Sequence, residues 1–531
     1  MVQHQKRIIV QYIMIKPSEK LAASREALHR LQKQGITAIR SADLTRTHRE
    51  RLCKNGFLQE VIKGWYIPTR PDEPSGESTA WYASFWQFCA AYLKHRKGKE
   101  WCLSPKQSLS LHAENWSVPK QLLVRASKAS NHLTNLPHGT SLFDIGSSLP
   151  EDKDIIEKNG LRLYSLPTAL IACTKGSFTQ SPIDMRAALS MISDASEVLE
   201  PLLKGGHSIV AGRLAGAFRN IGRDRIADNI INTMRSAGYD IRENDPFKKQ
   251  IIKTISLREQ SPYANRIRLM WQEMRGQIIE RFPAASSKPI NKKNYMKQVE
   301  NVFVTDAYHS LSIEGYQVNP ELIEQVRSGN WNPGIIEGDR QKHNTLAARG
   351  YWQAYQAVKV SIEKIINNEN SGAVAYNDHD AWYRELFAPS VVAGVLHPED
   401  LAGYRSSSVY IRRSMHVPPS REAVRDTMPV LFDLLRCETE SAVRVVLGYF
   451  IFVYIHPYMD GNGRMGRFLM NVMLASGGYP WTVVPVEQRA VYMGALEEAS
   501  VNQNIIPFTD FLAKLVDNSL KGTSMPGLQS D

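Results

Sequence analysis

The amino-acid sequence predicts a mainly α-helical fold, with an all-helical C-terminal core that carries a β-hairpin. A winged helix-turn-helix and a mixed α/β middle domain precede this core. Residues 21–70 follow the order helix, short helix, helix, hairpin. Shifts to proline and small residues at Pro68–Ser78 and Phe282–Lys293 indicate domain boundaries. Residues 290–520 have helical patterning, interrupted by a strand-like pair at Tyr404–Val417.

Composition limits the class of protein. The chain has 531 residues, 43% of them hydrophobic, which is ordinary for globular domains. Its five cysteines are scattered and odd in number, which argues against disulfides and structural zinc and favours a cytoplasmic protein. The apolar run Ile8–Ile15 is too short to span a bilayer, so we expect no membrane partner.

The N-terminal elements follow from helix and turn signals. A helical pattern ends at Gly35, and a second one begins at Thr45 and ends at Gly56. Lys63-Gly64 is typical of a turn between two strands. The predicted elements are helices at Ser24–Gln34, Ser41–Leu44 and Thr45–Asn55 and strands at Phe57–Ile62 and Trp65–Ile67.

The front of the chain is basic. Residues 1–70 hold fourteen Lys and Arg against five Asp and Glu, a net charge of +9, whereas residues 301–531 are net acidic. A basic third helix could lie in a major groove and neutralise phosphates of duplex DNA. The alternative is that the winged-helix domain binds another protein, and that its basic third helix is simply exposed to solvent. The candidate DNA contacts are Arg46, His48, Arg49, Arg51 and Lys54.

The N-terminal half resembles a known family. Its segment Gly56–Ile67 is similar to the winged helix of the AbiEi antitoxins, and Leu103–His112 is similar to their second domain. The resemblance implies a winged helix at 21–70 and an AbiEi-like middle domain at 79–245. It also implies transcriptional self-regulation or neutralisation of a toxin.

One loop in the C-terminal half carries chemistry. Val443–Ile455 is apolar on nearly every side and long enough for a buried helix. Because a residue before proline is pushed out of the helical region, Pro457 places His456 just beyond that helix. The glycines of Asp460–Gly463 permit a tight turn, after which Arg464–Ser476 is helical again.

This order puts an anion site beside a base. The free N–H groups and the dipole at a helix N-terminus attract phosphate, and Arg464 and Arg467 share one face of the first turn. Asp460 can hold Mg²⁺ together with phosphate oxygens. His456 is placed to accept a proton from an attacking hydroxyl. These roles describe phosphoryl or nucleotidyl transfer.

The loop His456–Arg467, HPYMDGNGRMGR, also resembles the Fic motif, and only the aromatic Tyr458 departs from the usual Phe. The resemblance covers roughly 300–520, with the Fic domain itself at 321–520. It implies transfer of AMP from ATP to a Ser, Thr or Tyr hydroxyl of a target protein. It assigns His456 as the base and Asp460 as the Mg²⁺ ligand.

The family's remaining residues map onto this chain by position. The resemblance implies that Gly461, Asn462 and Gly463 cradle the α- and β-phosphates, while Arg464 binds phosphate and Arg467 binds the γ-phosphate. It implies a flap that docks the target backbone by strand addition. The flap comprises Tyr404, Arg405, Ser406, Ser407, Ser408, Val409, Tyr410 and Ile411.

A second motif predicts self-inhibition. Apolar positions from Val299 to Ile313 are spaced for a helix that ends at Glu314, where the helix dipole disfavours an anion. An opposing cation such as Arg467 would explain the carboxylate. Ser310–Gly315 also resembles the Fic inhibitory motif, which implies that Ser310 and Glu314 restrain Arg467. We place the inhibitory helix at 294–320, after a linker region at 246–293.

Several alternatives stay open. Fic relatives also transfer UMP, phosphocholine or phosphate, and some with the glutamate remove AMP from targets. The protein could instead be a DNA-bound regulator whose Fic domain senses nucleotide. A His/Asp metal hydrolase would need more ligands than His456 and Asp460 supply. The sequence leaves the oligomeric state open, a homo-oligomer included.

Overall fold

The computed structural model describes residues 17–72, 76–247, 261–285, 291–329 and 339–522. The described part of the chain is mainly helical, as predicted. Its α-helices are α1 Pro17–Lys33, α2 Arg46–Lys54, α3 Thr79–Lys97, α4 Pro105–His112, α5 Leu166–Ala172, α6 Lys175–Gln180, α7 Pro182–Ser190, α8 Ser196–Gly205, α9 Ser208–Asn220, α10 Asp224–Ser236, α11 Pro262–Ile279, α12 Lys292–Ile313, α13 Pro320–Arg327, α14 Asp339–Ile366, α15 Ser371–Val392, α16 Arg421–Cys437, α17 Ser441–Ile455, α18 Asn462–Ser476, α19 Arg489–Val501 and α20 Ile506–Leu520.

In the part of the chain that the structure describes, the strands lie within the first third. They are β1 Ile39–Arg40, β2 Leu58–Ile62, β3 Trp65–Pro68, β4 Trp101–Leu103, β5 Gln121–Ala126, β6 Leu133–Asn135, β7 Ser141–Gly146, β8 Ile155–Lys158 and β9 Leu161–Tyr164. They form three sheets with the orders β1-β3-β2, β4-β5-β7-β6 and β8-β9.

The chain divides into two compact units. The first contains residues 1–104, 118–164 and 412–414, and the second contains 105–117, 165–411 and 415–531. Residues 79–245 are therefore shared between the two units. The domain boundaries given by the sequence stay predictions.

In the first unit, α1, α2 and an antiparallel three-stranded sheet surround a small core that includes Leu28, Ile39 and Leu52. Thr45 caps α2 by accepting a hydrogen bond from the His48 amide. This is the order expected of a winged helix, with one difference.

The short helix predicted at Ser41–Leu44 is a turn. The Asp43 carboxylate accepts bonds from the Arg40 amide at 2.8 Å and from the Arg40 guanidinium at 2.8 Å. Such local side-chain bonds compete with a helical backbone, which explains the difference.

A second sheet mixes strand directions. The parallel pair β5 and β7 forms its centre, with β4 and β6 antiparallel at its edges. The strands β8 and β9 form a separate antiparallel hairpin. Strands and helices alternate in this region, in keeping with a mixed α/β segment.

Helices of the second unit enclose a large apolar core. α17 is buried along most of its length, because its side chains are apolar on every face. Gly466 of α18 lets the two helices approach closely, since a Cβ at this position would lie 2.5 Å from the Tyr449 ring. α17 and α18 therefore fix both ends of the loop between them.

Two further expectations differ from the structure. The region 246–293, predicted as a linker, contains α11, whose Ile267, Met270 and Met274 are buried in the core at helical spacing. Residues 248–260 and 286–290 of that region lie outside the described residues.

The hairpin predicted at Tyr404–Val417 is also wrong. Within these residues, all of which the structure describes, there is no strand. The backbone makes bonds to other loops in place of a ladder, for example from the Arg405 amide to the Pro457 carbonyl at 2.9 Å. Arg413 adopts a positive φ of 59°, which interrupts an extended strand.

None of the helices in the described part of the chain has the length and apolar character needed to cross a membrane.

Candidate active site

His456 lies where the sequence places it, directly after the last residue of α17. It is the C-cap of that helix and adopts a left-handed conformation, with φ 54° and ψ 61°. Only a few per cent of non-glycine residues adopt this region, because the Cβ crowds the backbone. The turn directs the chain out of the helix at Pro457 and into the loop.

The protonation of His456 suits a base. Its Nδ1 lies 3.2 Å from the Val453 carbonyl oxygen. A carbonyl can only accept, so Nδ1 carries the proton and Nε2 keeps a free lone pair. Burial lowers the pKa of His456 to about 4, and the charge of Arg405 adds to this effect. The imidazole is therefore neutral at physiological pH.

The loop is closed by its own side chains. Asn462 accepts a bond from the Tyr458 amide at 2.9 Å and donates one to the Tyr458 carbonyl at 2.8 Å. The Tyr458 ring is fully buried, as predicted, and stacks on Tyr383 with centroids 3.9 Å apart. Gly461 has φ 80°, and a Cβ there would lie 2.8 Å from the Phe387 ring. The side chain of Asn462 thus shapes the loop, and its backbone N–H belongs to the first turn of α18.

Arg464 is a buried cation at the start of α18. Its Nη2 donates to the Asp460 carboxylate at 3.1 Å. The guanidinium lies over the rings of Tyr316, at 5.3 Å, and Phe387, at 5.0 Å. Among the residues that the structure describes, its buried Nε has no hydrogen-bond partner. A buried donor without an acceptor is costly, so this N–H is available to an anion.

Arg467 contacts the end of α12. Its Nε donates to the Ser310 Oγ at 2.7 Å, and its Nη2 donates to the Ser310 carbonyl at 3.1 Å and to the Glu314 carboxylate at 2.6 Å. The guanidinium is nearly fully buried, and Nη1 has no partner. The structure thus pairs Glu314 with Arg467, the cation that the sequence indicated.

Glu314 also lies over the phosphate loop. It is the C-cap of α12, and Gly315 after it has φ 92°. A Cβ built on Gly463 would lie only 2.4 Å from the Glu314 Oε1. The carboxylate therefore occupies space directly above the N-terminus of α18, where an anion would bind.

Asp460 is the one carboxylate on the loop that fits a magnesium ion. Its side chain is 68% exposed, and its Oδ1 accepts a bond from the Gly461 amide at 2.6 Å. Among the residues that the structure describes, no cluster of three or more His, Cys, Asp or Glu could hold a metal alone. Mg²⁺ usually takes one or two carboxylates and completes its shell with phosphate oxygens and water. Asp460 fits this pattern only if a nucleotide supplies the other ligands.

The flap residues differ in exposure. Ser406, Ser407, Ser408 and Tyr410 are exposed, whereas Tyr404, Val409 and Ile411 are half-buried. The Tyr404 hydroxyl lies 2.8 Å from the His379 Nε2. Arg405 is only 2% exposed, so its side chain faces the protein interior, and its place in a flap that docks a target backbone stays a prediction. Arg405 bonds to carbonyl oxygens inside the protein, the His456 carbonyl among them.

The predicted DNA contacts on α2 are partly used within the protein. Arg49 donates to the Ser41 carbonyl and Arg51 to the Lys20 carbonyl, each at 2.8 Å. His48 lies 2.9 Å from the Ser24 hydroxyl, and Arg46 pairs with Glu50 at 2.7 Å. Arg46 and Lys54 are exposed, whereas the other three candidates are half-buried.

Two residues near the site, Tyr316 and Phe387, were missed by sequence reasoning, and both cover the guanidinium of Arg464. Arg405 was assigned to the flap, but its bond to the His456 carbonyl was not foreseen. For Tyr316 a signal existed, since it lies two residues beyond Glu314. Phe387 is distant in sequence, and only the fold brings it to the site.

Comparisons with known proteins agree with this site. Residues 378–474 match the model of the Fic/DOC family. The chain is 26% identical over 262 residues to the protein adenylyltransferase Fic of Nematostella vectensis, covering 48% of this chain and 56% of that protein. It is 30% identical over 228 residues to the protein adenylyltransferase fic-1 of Caenorhabditis elegans, covering 42% of each. The chain thus spans about half the length of the curated relatives it matches.

Solved structures of related proteins are more distant. The Caenorhabditis elegans Fic-1 structure is 16% identical, covers 68% of this chain and 92% of its own, and gives a TM-score of 0.35. The family match rests on the sequence model, whose residues include the complete loop from His456 to Arg467. Residues 378–474 are therefore similar to the Fic/DOC family over a segment that includes the whole candidate site loop.

Proposed function

We propose that this protein transfers AMP from ATP to a hydroxyl group of a target protein. The observation that carries the proposal is the pair of buried arginines at the start of α18, each with an N–H that lacks a partner. These donors, Arg464 Nε and Arg467 Nη1, adjoin a helix N-terminus. A neutral imidazole with a free Nε2 lies on the same loop. Relatives that are 26–30% identical to part of this chain are named protein adenylyltransferases.

The chain's own residues supply each step. His456 Nε2 accepts the proton of the target hydroxyl as its oxygen attacks the α-phosphorus. The bond between the α-phosphorus and the bridging oxygen breaks, and pyrophosphate leaves with both electrons of that bond. Arg464, Arg467 and the N–H groups of α18 stabilise the phosphate charge that develops. No covalent intermediate on the protein is needed.

Magnesium accompanies ATP in this proposal, with Asp460 as its protein ligand. When bound, the ion neutralises phosphate charge. Asp460, which pairs with Arg464 at 3.1 Å, would be the residue that holds the ion. The exposed Ser406–Ser408 and Tyr410 are the flap residues that a target segment can reach, and we propose that the target adds there as a strand.

Glu314 is proposed as a built-in inhibitor. A charge-assisted bond to a buried guanidinium contributes ~1.5–3 kcal/mol. Arg467 is bonded to Glu314 at 2.6 Å, so the carboxylate competes with a phosphate for the same cation. The same carboxylate could activate water and remove AMP from a modified target, so both directions of the reaction remain to be assayed.

A double-label experiment tests the proposed reaction. Purified Glu314→Gly protein is incubated with Mg²⁺ and ATP labelled at the α-phosphate, and in parallel with ATP labelled at the γ-phosphate. We expect α-label on protein, either on a target in a lysate or on the enzyme itself, and no γ-label. Transfer of the γ-label would show that the protein phosphorylates its target, and it would contradict the proposed AMP transfer.

Two controls make the result specific. His456→Ala should bind ATP but transfer no label, and label incorporation by this variant would contradict the role of the base. UTP labelled at the α-phosphate tests UMP transfer by the same site. Equal incorporation from both nucleotides would remove ATP as the specific donor.

DNA binding by the N-terminal winged helix is a second candidate function. Its support is the exposure of Arg46 and Lys54 on α2, together with the net charge of +9 over residues 1–70. Such a protein would bind DNA as a regulator and use its Fic domain to sense or transfer nucleotide. Binding to labelled duplex DNA at low salt tests this candidate separately from AMP transfer.

A further inference from the structure

Arg405 is a buried cation that makes its hydrogen bonds to backbone. Its side chain is 2% exposed. Nε donates to the His456 carbonyl at 2.8 Å, Nη1 donates to the Ser407 carbonyl at 3.0 Å, and Nη2 donates to the Pro419 carbonyl. The Arg405 amide donates to the Pro457 carbonyl at 2.9 Å. One residue thus connects the middle of the flap at Ser407, and Pro419 beyond the flap, to His456 and Pro457 at the base of the catalytic loop.

The carbonyl that Arg405 holds belongs to a residue in an unfavourable conformation. His456 has φ 54°, a region that a side chain with a Cβ seldom adopts. Such conformations persist where surrounding contacts fix them, and they cluster at functional sites. The carbonyls of two successive peptides, at His456 and Pro457, are thus held by the guanidinium and by the amide of the same arginine.

We propose that Arg405 is the positioning residue of the base, holding the His456 imidazole in place and transmitting the position of the flap to it. The proposal rests on the proposed function, in which His456 takes the proton from the target hydroxyl. A planar fork with five donors can bind three carbonyls at fixed angles, which a flexible ammonium group cannot do. Binding of a target to the flap would then act directly on the geometry of the base.

The charge of Arg405 supports this role. It lowers the pKa of His456, in the same direction as burial. The carboxylates of Glu314 and Asp460 act in the opposite direction, and the buried His416 is a further neighbour, which burial keeps neutral with a pKa of about 3. Removing the guanidinium charge should therefore raise the pKa of His456.

The test uses the full-length Glu314→Gly protein, to which Arg405→Gln or Arg405→Lys is added. Arg421→Gln is the matched control, because Arg421 donates to the flap carbonyl of Ser406 at 3.0 Å and is exposed. ATP affinity and thermal unfolding show that each variant is folded. Titration of the His456 imidazole by NMR, assigned with His456→Ala, gives a readout that does not depend on transfer.

We expect Arg405→Gln to lower kcat by about 10²-fold, since a displacement near 1 Å has this effect on catalysis. The KM for ATP should stay within about twofold, and His456 should titrate at a higher pH. Arg405→Lys should keep the titration near that of the parent yet still lose kcat, because it retains the charge without the fork. Arg421→Gln should match the parent in both measurements.

Unchanged kcat and unchanged titration in folded Arg405→Gln would overturn the proposal. If Arg405→Gln does not fold, the Arg405→Lys variant provides the test. Full activity of Arg405→Lys would also overturn the proposal. If no variant transfers AMP, the proposed reaction has failed, while the titration still shows whether Arg405 acts on His456.

Discussion

His456 combines two properties that a base on this loop requires, a fixed tautomer and a neutral ring. The bond from Nδ1 to the Val453 carbonyl leaves Nε2 free, and burial lowers the pKa to about 4. In the proposed function the phosphates are held by Arg464 and Arg467, and His456 takes only the proton. Loss of the imidazole should therefore affect chemistry and spare nucleotide binding.

The His456→Ala variant should lose about 10²- to 10⁴-fold in the rate of AMP transfer, the range for removal of a general base. Its affinity for ATP should stay within a few-fold of the parent, as measured by calorimetry. The comparison should be made in the Glu314→Gly background, where transfer is expected to be measurable. A transfer rate within tenfold of the parent would remove His456 from the reaction.

The pH dependence of transfer should be flat between about pH 6 and 8 and should fall as the pH drops toward 4. The sign follows from the lowered pKa: the neutral base is present above about 4 and is lost when the imidazole binds a proton below it. An ordinary histidine would instead lose half its activity near pH 6.5. Transfer rates at saturating ATP, with circular dichroism to confirm folding, distinguish the two cases.

Sequence reasoning located most of these residues but not all of their roles. The position of His456 at the end of α17 could be predicted from Pro457. A proline disfavours the helical conformation of the residue before it, and this effect depends only on the neighbouring residue. The direction of Arg405 is not a local property. No local sequence signal shows whether an arginine side chain points to solvent or to buried carbonyl oxygens. The burial of Arg405 is therefore known only from the fold.

At the scale of elements, the site is made where α12 ends against the beginning of α18. The Glu314 carboxylate lies above Gly463, and Ser310 lies one turn earlier and also bonds Arg467. The two contacts hold the same guanidinium from the same helix. Weakening either one should release Arg467 for a nucleotide.

Ser310→Ala should raise AMP transfer by a few-fold, less than Glu314→Gly, because it removes one neutral acceptor and leaves the ion pair in place. Ser312→Ala is the matched control on the same helix, since Arg467 bonds to Ser310 and Glu314 rather than to Ser312. Initial rates with ATP labelled at the α-phosphate give the comparison. Equal rates for Ser310→Ala and the parent would restrict the inhibitory contact to Glu314.

Element prediction succeeded where periodicity was strong. The helices on both sides of the loop, and the end of α12 at Glu314, follow from apolar spacing and from Gly315. The hairpin predicted at Tyr404–Val417 failed because alternation alone cannot show whether a second strand is in register. The residues predicted as a hairpin instead bond to the loops around Pro457 and Pro419.

At the scale of the whole molecule, the chain contains a segment similar to the Fic/DOC family and a basic N-terminal region. The exposed cations of α2, Arg46 and Lys54, are the strongest candidates for phosphate contacts. Arg49 and Arg51 hold the turn at Ser41 and the start of α1. Replacing the latter pair would disturb the fold of this region as well as its charge.

Arg46→Ala with Lys54→Ala should weaken binding to duplex DNA and lower the slope of log affinity against log salt by about two, one for each lost phosphate contact. Lys99→Ala with Lys120→Ala removes the same charge from exposed positions outside residues 21–70 and is the matched control. Fluorescence anisotropy over a salt series provides the measurement. If both pairs change binding equally, only net charge matters and α2 has no special role.

The central claim is that one guanidinium, Arg467, is shared between an internal inhibitor and the nucleotide. The most direct measurement is the initial rate of α-label transfer from ATP in four proteins: the parent, Glu314→Gly, Arg467→Ala and the double variant. The lost ion pair of ~1.5–3 kcal/mol corresponds to an increase of about ten- to hundred-fold for Glu314→Gly. Arg467→Ala should show no increase, and the double variant should match it, because both residues act through one contact. An unchanged rate in Glu314→Gly, or activation by Arg467→Ala, would contradict the account.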